Sequence, residues 1–136
     1  MKKFLFYTSI FLFFFISEIN AQHYIGLDKA ETKLLARKAG FYPDDMTVNQ
    51  KFNYSKFVNS ADTKTLIVFF SDKDVALHTR MVCDYSEYDF VRNDFDKEYA
   101  KKSKNLWEYK VDGASFEITL EEKEWYFILR TKKNSS

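Results

Sequence analysis

The sequence predicts an α+β fold, an antiparallel β-sheet with two helices packed on one face, in the order α-βββ-α-βββ. Three observations predict it. Two segments show helical spacing with capping residues at their starts. Between and after them run short apolar and aromatic segments separated by turn residues. One of those turns, Asp112-Gly113, is a two-residue hairpin signal, because both central positions need positive φ. Runs of strands beside segregated helices fit α+β rather than an alternating parallel architecture.

The first segment, residues 1–21, reads as a secretory signal peptide rather than as fold. Lys2 and Lys3 form a basic start, Phe4 to Ile16 is apolar apart from Thr8 and Ser9, and Ile19-Asn20-Ala21 offers a small residue at a cleavage position. The apolar run is too short to span the hydrocarbon of a bilayer. Cleavage after Ala21 then leaves no stable membrane anchor and sends the chain to a secreted or periplasmic location. The domain expected is 22–131, followed by a flexible tail at 132–136.

Asp28 to Ala39 is the first helix. Asp28 caps it and Glu31 stands three residues on, as in a capping box. Ala30, Leu34 and Leu35 form its expected apolar stripe, and Gly40 ends it. Phe41 to Asp45 is expected to be a turn or loop. Lys51 to Val58 is a weaker strand. Thr63 to Phe70 is strong, because Leu66 to Phe70 is uninterrupted apolar sequence. Ser71 to Asp74 forms a turn, and Val75 to Cys83 returns.

Asp84 to about Lys102 is the second helix. Asp84 with Glu87, or Ser86 with Asp89, can cap it, and Tyr88, Val91, Phe95 and Tyr99 share one face. Asn105 to Val111, Ala114 to Leu120 and Glu124 to Thr131 are the last three strands. The layout of a helix and three strands, twice over, resembles secreted inhibitor-like and envelope-assembly α+β modules. That resemblance carries a fold and not a function.

Register assigns the side chains to faces. The Asp112-Gly113 turn pairs Val111 with Ala114, Tyr109 with Phe116 and Trp107 with Ile118. A link at 121–124 pairs Leu120 with Trp125, Ile118 with Phe127 and Phe116 with Leu129. A link at 71–74 pairs Phe70 with Val75, Val68 with Leu77 and Leu66 with Thr79. These sets form the expected core face. The other face receives Thr119 opposite Tyr126, Glu117 opposite Ile128, Phe69 opposite Ala76, Ile67 opposite His78 and Thr65 opposite Arg80. A one-sided antiparallel sheet should be polar there. Ile67, Phe69, Tyr126 and Ile128 break that rule. With His78 and Arg80 they form the candidate binding surface, since exposed apolar patches mark interaction sites.

Composition narrows the function further. The chain has 136 residues, with 21 Lys+Arg and 20 Asp+Glu. Losing Lys2, Lys3 and Glu18 with the leader leaves 19 of each. A neutral chain offers no electrostatic case for nucleic acid. The single cysteine, Cys83, allows no intrachain disulfide. It is either a buried thiol or half of an intermolecular bond. His78 and Cys83 are five apart on one strand and so point to opposite faces, too far apart for a nucleophile and its base. No metal-ligand spacing, phosphate loop or nucleophile motif appears, so no catalytic residue, metal or cofactor is expected.

Glu108 and Glu117 face each other in the hairpin register and are the one candidate acid pair. The leading expectation is an exported, non-catalytic interaction module. The alternatives are a small carboxylate hydrolase or a homodimer through the same sheet face.

Overall fold

The computed structural model describes residues 23–44 and 52–134. Within them the chain forms an eight-stranded antiparallel sheet with two helices, an α+β fold. Helix α1 is Lys29–Lys38, followed by β1 (Phe41–Pro43), β2 (Tyr54–Asn59), β3 (Lys64–Phe70) and β4 (Ala76–Asp84). A 3-10 turn at Tyr85–Glu87 leads into α2 (Tyr88–Glu98). Strands β5 (Ala100–Ser103), β6 (Leu106–Val111), β7 (Ala114–Glu122) and β8 (Tyr126–Lys133) complete the chain. The strand order is β1-β2-β3-β4-β8-β7-β6-β5. Each half is thus a helix and a four-stranded meander, and the halves meet where β4 pairs with β8.

Two strands are additional to the expected order α-βββ-α-βββ. β1 falls where a loop was expected, and β5 falls in the expected last turn of α2. Neither has a strand pattern of its own. β5 is Ala-Lys-Lys-Ser with all four residues exposed, held by pairing with β6 and by the ion pair of Lys101 with Asp96 at 3.5 Å. Both are edge strands, and their composition suits that place: Pro43 lacks an amide donor, and the lysines discourage a further strand from adding. At the other end, β8 runs to Lys133 and the Asn134 amide donates to Ser115 O at 2.9 Å. The ordered strand therefore reaches past the expected domain limit at residue 131. The proposed leader, 1–21, lies outside the described residues.

Helix α1 starts as expected. Asp28 Oδ1 accepts from the Glu31 amide at 2.8 Å and Glu31 reaches back to the Asp28 amide, a complete capping box. Its buried face differs from the expected stripe. Thr32 and Ala36 are buried with Leu35 beside them, whereas Ala30 is exposed and Leu34 is 63% exposed. Small side chains at 32 and 36 bring the helix close, and Phe41, Phe57, Val68 and Phe70 supply the bulk. Helix α2 keeps its predicted face, with Val91 buried and Tyr88, Phe95 and Tyr99 packed around Trp107. Asp84 accepts from the Ser86 amide and caps the preceding 3-10 turn.

The predicted register of the Asp112-Gly113 hairpin holds pair for pair, from Val111↔Ala114 to Trp107↔Ile118. Asp112 and Gly113 have φ of 50° and 81°, as a two-residue turn demands. The last hairpin is displaced. β7 continues to Glu122, so Leu120 pairs with Leu129 and Ile118 with Thr131. Trp125, expected in the core, stands in the turn and is 76% exposed.

The first hairpin is displaced by two, pairing Leu66 with Met81 and Val68 with Thr79. A bulge opposite Phe69 and Phe70 then brings Ala76 into the core and turns Leu77 out. Two apolar clusters result. One gathers Ala36 with Phe57, Leu66, Val68 and Phe70, and the other gathers Val91 with Trp107, Ile118, Leu120 and Phe127. Leu66, Met81, Leu129 and Leu120 form one cross-strand row, which places both clusters on the same side of the sheet.

Candidate functional site

The opposite side of the sheet carries the alternate residues of each strand. Its central rows follow from the pairing. One runs Lys56, Ile67, Arg80, Arg130, Thr119, Leu106, and the next runs Tyr54, Phe69, His78, Lys132, Glu117, Glu108. Ile67, Phe69, His78 and Arg80 of the candidate surface are therefore neighbours. Their partners are changed: Ile67 faces Arg80, and Phe69 faces His78. Ile128 faces Val82 and is only 7% exposed, and Tyr126 faces Asp84 at the far end of β8. Ile128 thus contributes to the floor between Val82 and Glu121, and Tyr126 stands apart from the other four.

Phe69 is the centre of this patch. His78 stacks on it, with ring centroids 4.5 Å apart and planes 24° apart. Tyr54 lies 6.1 Å away on the other side, and the Arg80 guanidinium is 5.7 Å from the Phe69 centroid. Contacts of a guanidinium with an aromatic face are modestly attractive. Burial holds the His78 pKa below its ordinary value, and the Arg80 charge adds to that. His78 is therefore a neutral ring at neutral pH, able to lie flat on Phe69 without importing a second charge.

Arg80 is the anomaly. The neighbouring charges on this face are paired: Lys56 with Asp44, Lys132 with Glu117 and Arg130 with Glu121. Arg80 has no ion pair or hydrogen bond among the described residues, and its Nε is buried without a partner. It also faces Arg130 directly. Like charges set opposite each other in a ladder destabilise it, and an unsatisfied buried donor is costly. A carboxylate brought to this face would offset the facing charges and bond the outer guanidinium nitrogens.

The residues of the other candidate chemistries are placed as follows. Glu108 and Glu117 do face each other. However, Glu108 accepts from the Ser115 hydroxyl at 2.6 Å, and Glu117 lies 3.3 Å from Lys132. Each carboxylate thus has its own partner. Cys83 is buried on the helix side with its thiol pKa pushed up to about 12 by burial, and His78 is on the other side. Among the described residues, no three His, Cys, Asp or Glu side chains are grouped to hold a metal ion.

Three surface groups escaped the sequence reading. Arg130 and Lys132 reach the patch because β8 pairs with β4, a contact between halves that no turn announces. Trp125 is the third, an exposed ring beside Tyr126. The alternation of polar residues at 115, 117, 119 and 121 could have shown that β7 is longer, which would have moved Trp125 out of the core. No family model matches the chain, and no match emerges among curated proteins or solved structures.

Proposed function

We propose that the protein is an exported, non-catalytic binding module. Both helices form one layer over the row of Leu66, Met81, Leu129 and Leu120, which frees the other face of the sheet for a partner. The partner is a protein surface that presents a carboxylate beside apolar side chains. The carboxylate meets Arg80, and the apolar part covers Ile67, Phe69 and Tyr126.

The observation that carries this reading is Arg80, which has no ion pair among the described residues while its neighbours Lys56, Arg130 and Lys132 each have one. A cation held against an aromatic ring with unused N–H donors is ready to donate to a carboxylate. The basic, apolar and small-residue pattern of the first 21 residues supports export. Tyr24, shortly after the proposed cleavage point, is already part of the core.

The test is a titration of the purified protein against extracytoplasmic extracts, followed by isolation of the bound species. Phe69→Asp and Arg80→Met should abolish binding while circular dichroism stays unchanged, and Tyr126→Asp should weaken it. Equal binding by all three folded variants would sink this surface. The homodimer through the same face makes a different forecast: light scattering would report twice the monomer mass, and Phe69→Asp would halve it.

A further inference from the structure

A cavity of about 200 Å³ lies on the helix side of the sheet, away from the proposed docking face. It straddles the join between the two halves. Leu66 and Met81 from the first half and Ile118 and Leu129 from the second form its floor. Val91 and Phe95 of α2 wall it on one side, and Ala39 at the end of α1 marks the other. Close packing rarely leaves such a space in a domain core. The space lies between the two helices: α1 packs on the Phe57, Leu66, Val68 and Phe70 side, and α2 covers the β4–β8 join at its Cys83 and Phe127 end.

The lining is mainly apolar with hydroxyls set into it. Tyr24, Tyr99, Thr79 and Thr131 all border the cavity, and none of their hydroxyls has a hydrogen-bond partner among the described residues. Thr79 and Thr131 face each other across the β4–β8 ladder. At the rim stand Lys64 and Asp94, of opposite sign. Lys64 is 4.0 Å from Glu87.

We propose that this cavity binds a small, uncharged, largely apolar molecule bearing one or two hydrogen-bonding groups, such as a hydroxylated aromatic or a short-chain alcohol. Size sets the upper limit. An apolar cavity of about 150 Å³ accommodates benzene, so this one has room for one or two fused rings. The unpartnered hydroxyls set the polarity, because an apolar occupant alone would leave them unsatisfied. The class is uncharged because rim charges of opposite sign favour neither ion. Burial also pushes the Tyr24 and Tyr99 hydroxyls up to about 12, a sign of how poorly this space tolerates charge.

The test uses 1-naphthol, with naphthalene-1-sulfonate as a charged comparator of similar shape. In methyl and amide NMR spectra of the purified protein, 1-naphthol should shift Leu66, Ile118 and Leu129 saturably and leave Ile67 and Val82 unmoved. The sulfonate should shift none of them. Thr131→Leu fills the floor, and Ala39→Phe narrows the rim from an exposed position where folding is not at stake. Each should weaken 1-naphthol about fivefold or more, roughly 1 kcal/mol. Shifts confined to the opposite face, equal binding of the sulfonate, or wild-type affinity in both folded variants would each overturn the proposal.

Discussion

Arg80 and Arg130 stand directly opposite each other where β4 meets β8, at the centre of the sheet. Only one of them is compensated: Arg130 is held by Glu121, and Glu121 is also paired with Lys123 at 2.6 Å. The join between the two halves therefore carries a repulsive pair at its middle, and four testable consequences concern that pair and the packing on either side of it.

Replacing Arg80 with Met removes the facing charge and the buried Nε while keeping a long apolar stem over Phe69. Stability should be unchanged or rise by about 0.5–1 kcal/mol, because an unsatisfied buried donor is lost. Urea unfolding measures this. Combined with lost partner binding, a gain in stability would mark Arg80 as retained for function rather than for folding.

Glu121 makes the join sensitive to acid. Its hydrogen bonds from Lys123 and Arg130 hold its pKa down at about 2, against an ordinary value near 4.5. A depressed folded-state pKa stabilises the fold above the ordinary value, and that contribution is lost as pH falls toward the depressed one. Thermal melts should therefore show stability declining between about pH 4.5 and pH 2. Glu121→Gln should be less stable at pH 7 and should flatten that part of the profile. Equal slopes in both proteins would show that the Glu121 pairing does not act in solution.

The two tryptophans should report opposite environments. Trp107 is fully buried and its indole Nε1 donates to Asp96 at 2.9 Å, whereas Trp125 is open to solvent. Iodide should quench Trp125 and spare Trp107. Trp125→Phe should leave a protected, blue-shifted emission with stability unchanged. Trp107→Phe should cost about 2 kcal/mol through the space it leaves beside Phe95 and Arg92.

Thr32 is a buried position in α1 whose hydroxyl has no partner among the described residues. Val has nearly the same shape and no polar group to satisfy. Thr32→Val should raise stability by about 1 kcal/mol in chemical denaturation. A loss would mean that the hydroxyl finds a partner in solution.

The sequence carried the faces of the sheet better than its pairs. Strand periodicity is two, so the displacement of the last hairpin by four and of the first by two left Phe69, Ile67, Leu66 and Val68 on their expected sides. Only the bulge broke the parity, and it did so locally, at Ala76 and Leu77. Turn chemistry fixed the one register that held throughout, because Asp112-Gly113 admits few alternatives. The four-residue links admitted several, and the apolar Trp125 drew the pairing toward a core place it does not occupy.

What stayed hidden was non-local. β1 and β5 exist through pairing and not through pattern. The β4–β8 contact brings Arg130 and Lys132 to the candidate surface across 50 residues of chain. The cavity was equally invisible, since it lies between two helices whose spacing no local pattern sets.

The β4–β8 join also bears on how the chain is made. β4 is complete at Asp84, but its partner β8 does not begin until Tyr126. Throughout that interval β4 is a bare edge, long and next to the apolar β3, with no proline to blunt it. His78 and Arg80 sit in its middle. A charge there acts as a gatekeeper, making the waiting strand a poor template for a neighbouring chain until its own second half arrives. The electrostatic discomfort of the finished fold is thus the residue of a safeguard during synthesis, and Arg80→Met, though no less stable once folded, should yield less soluble protein.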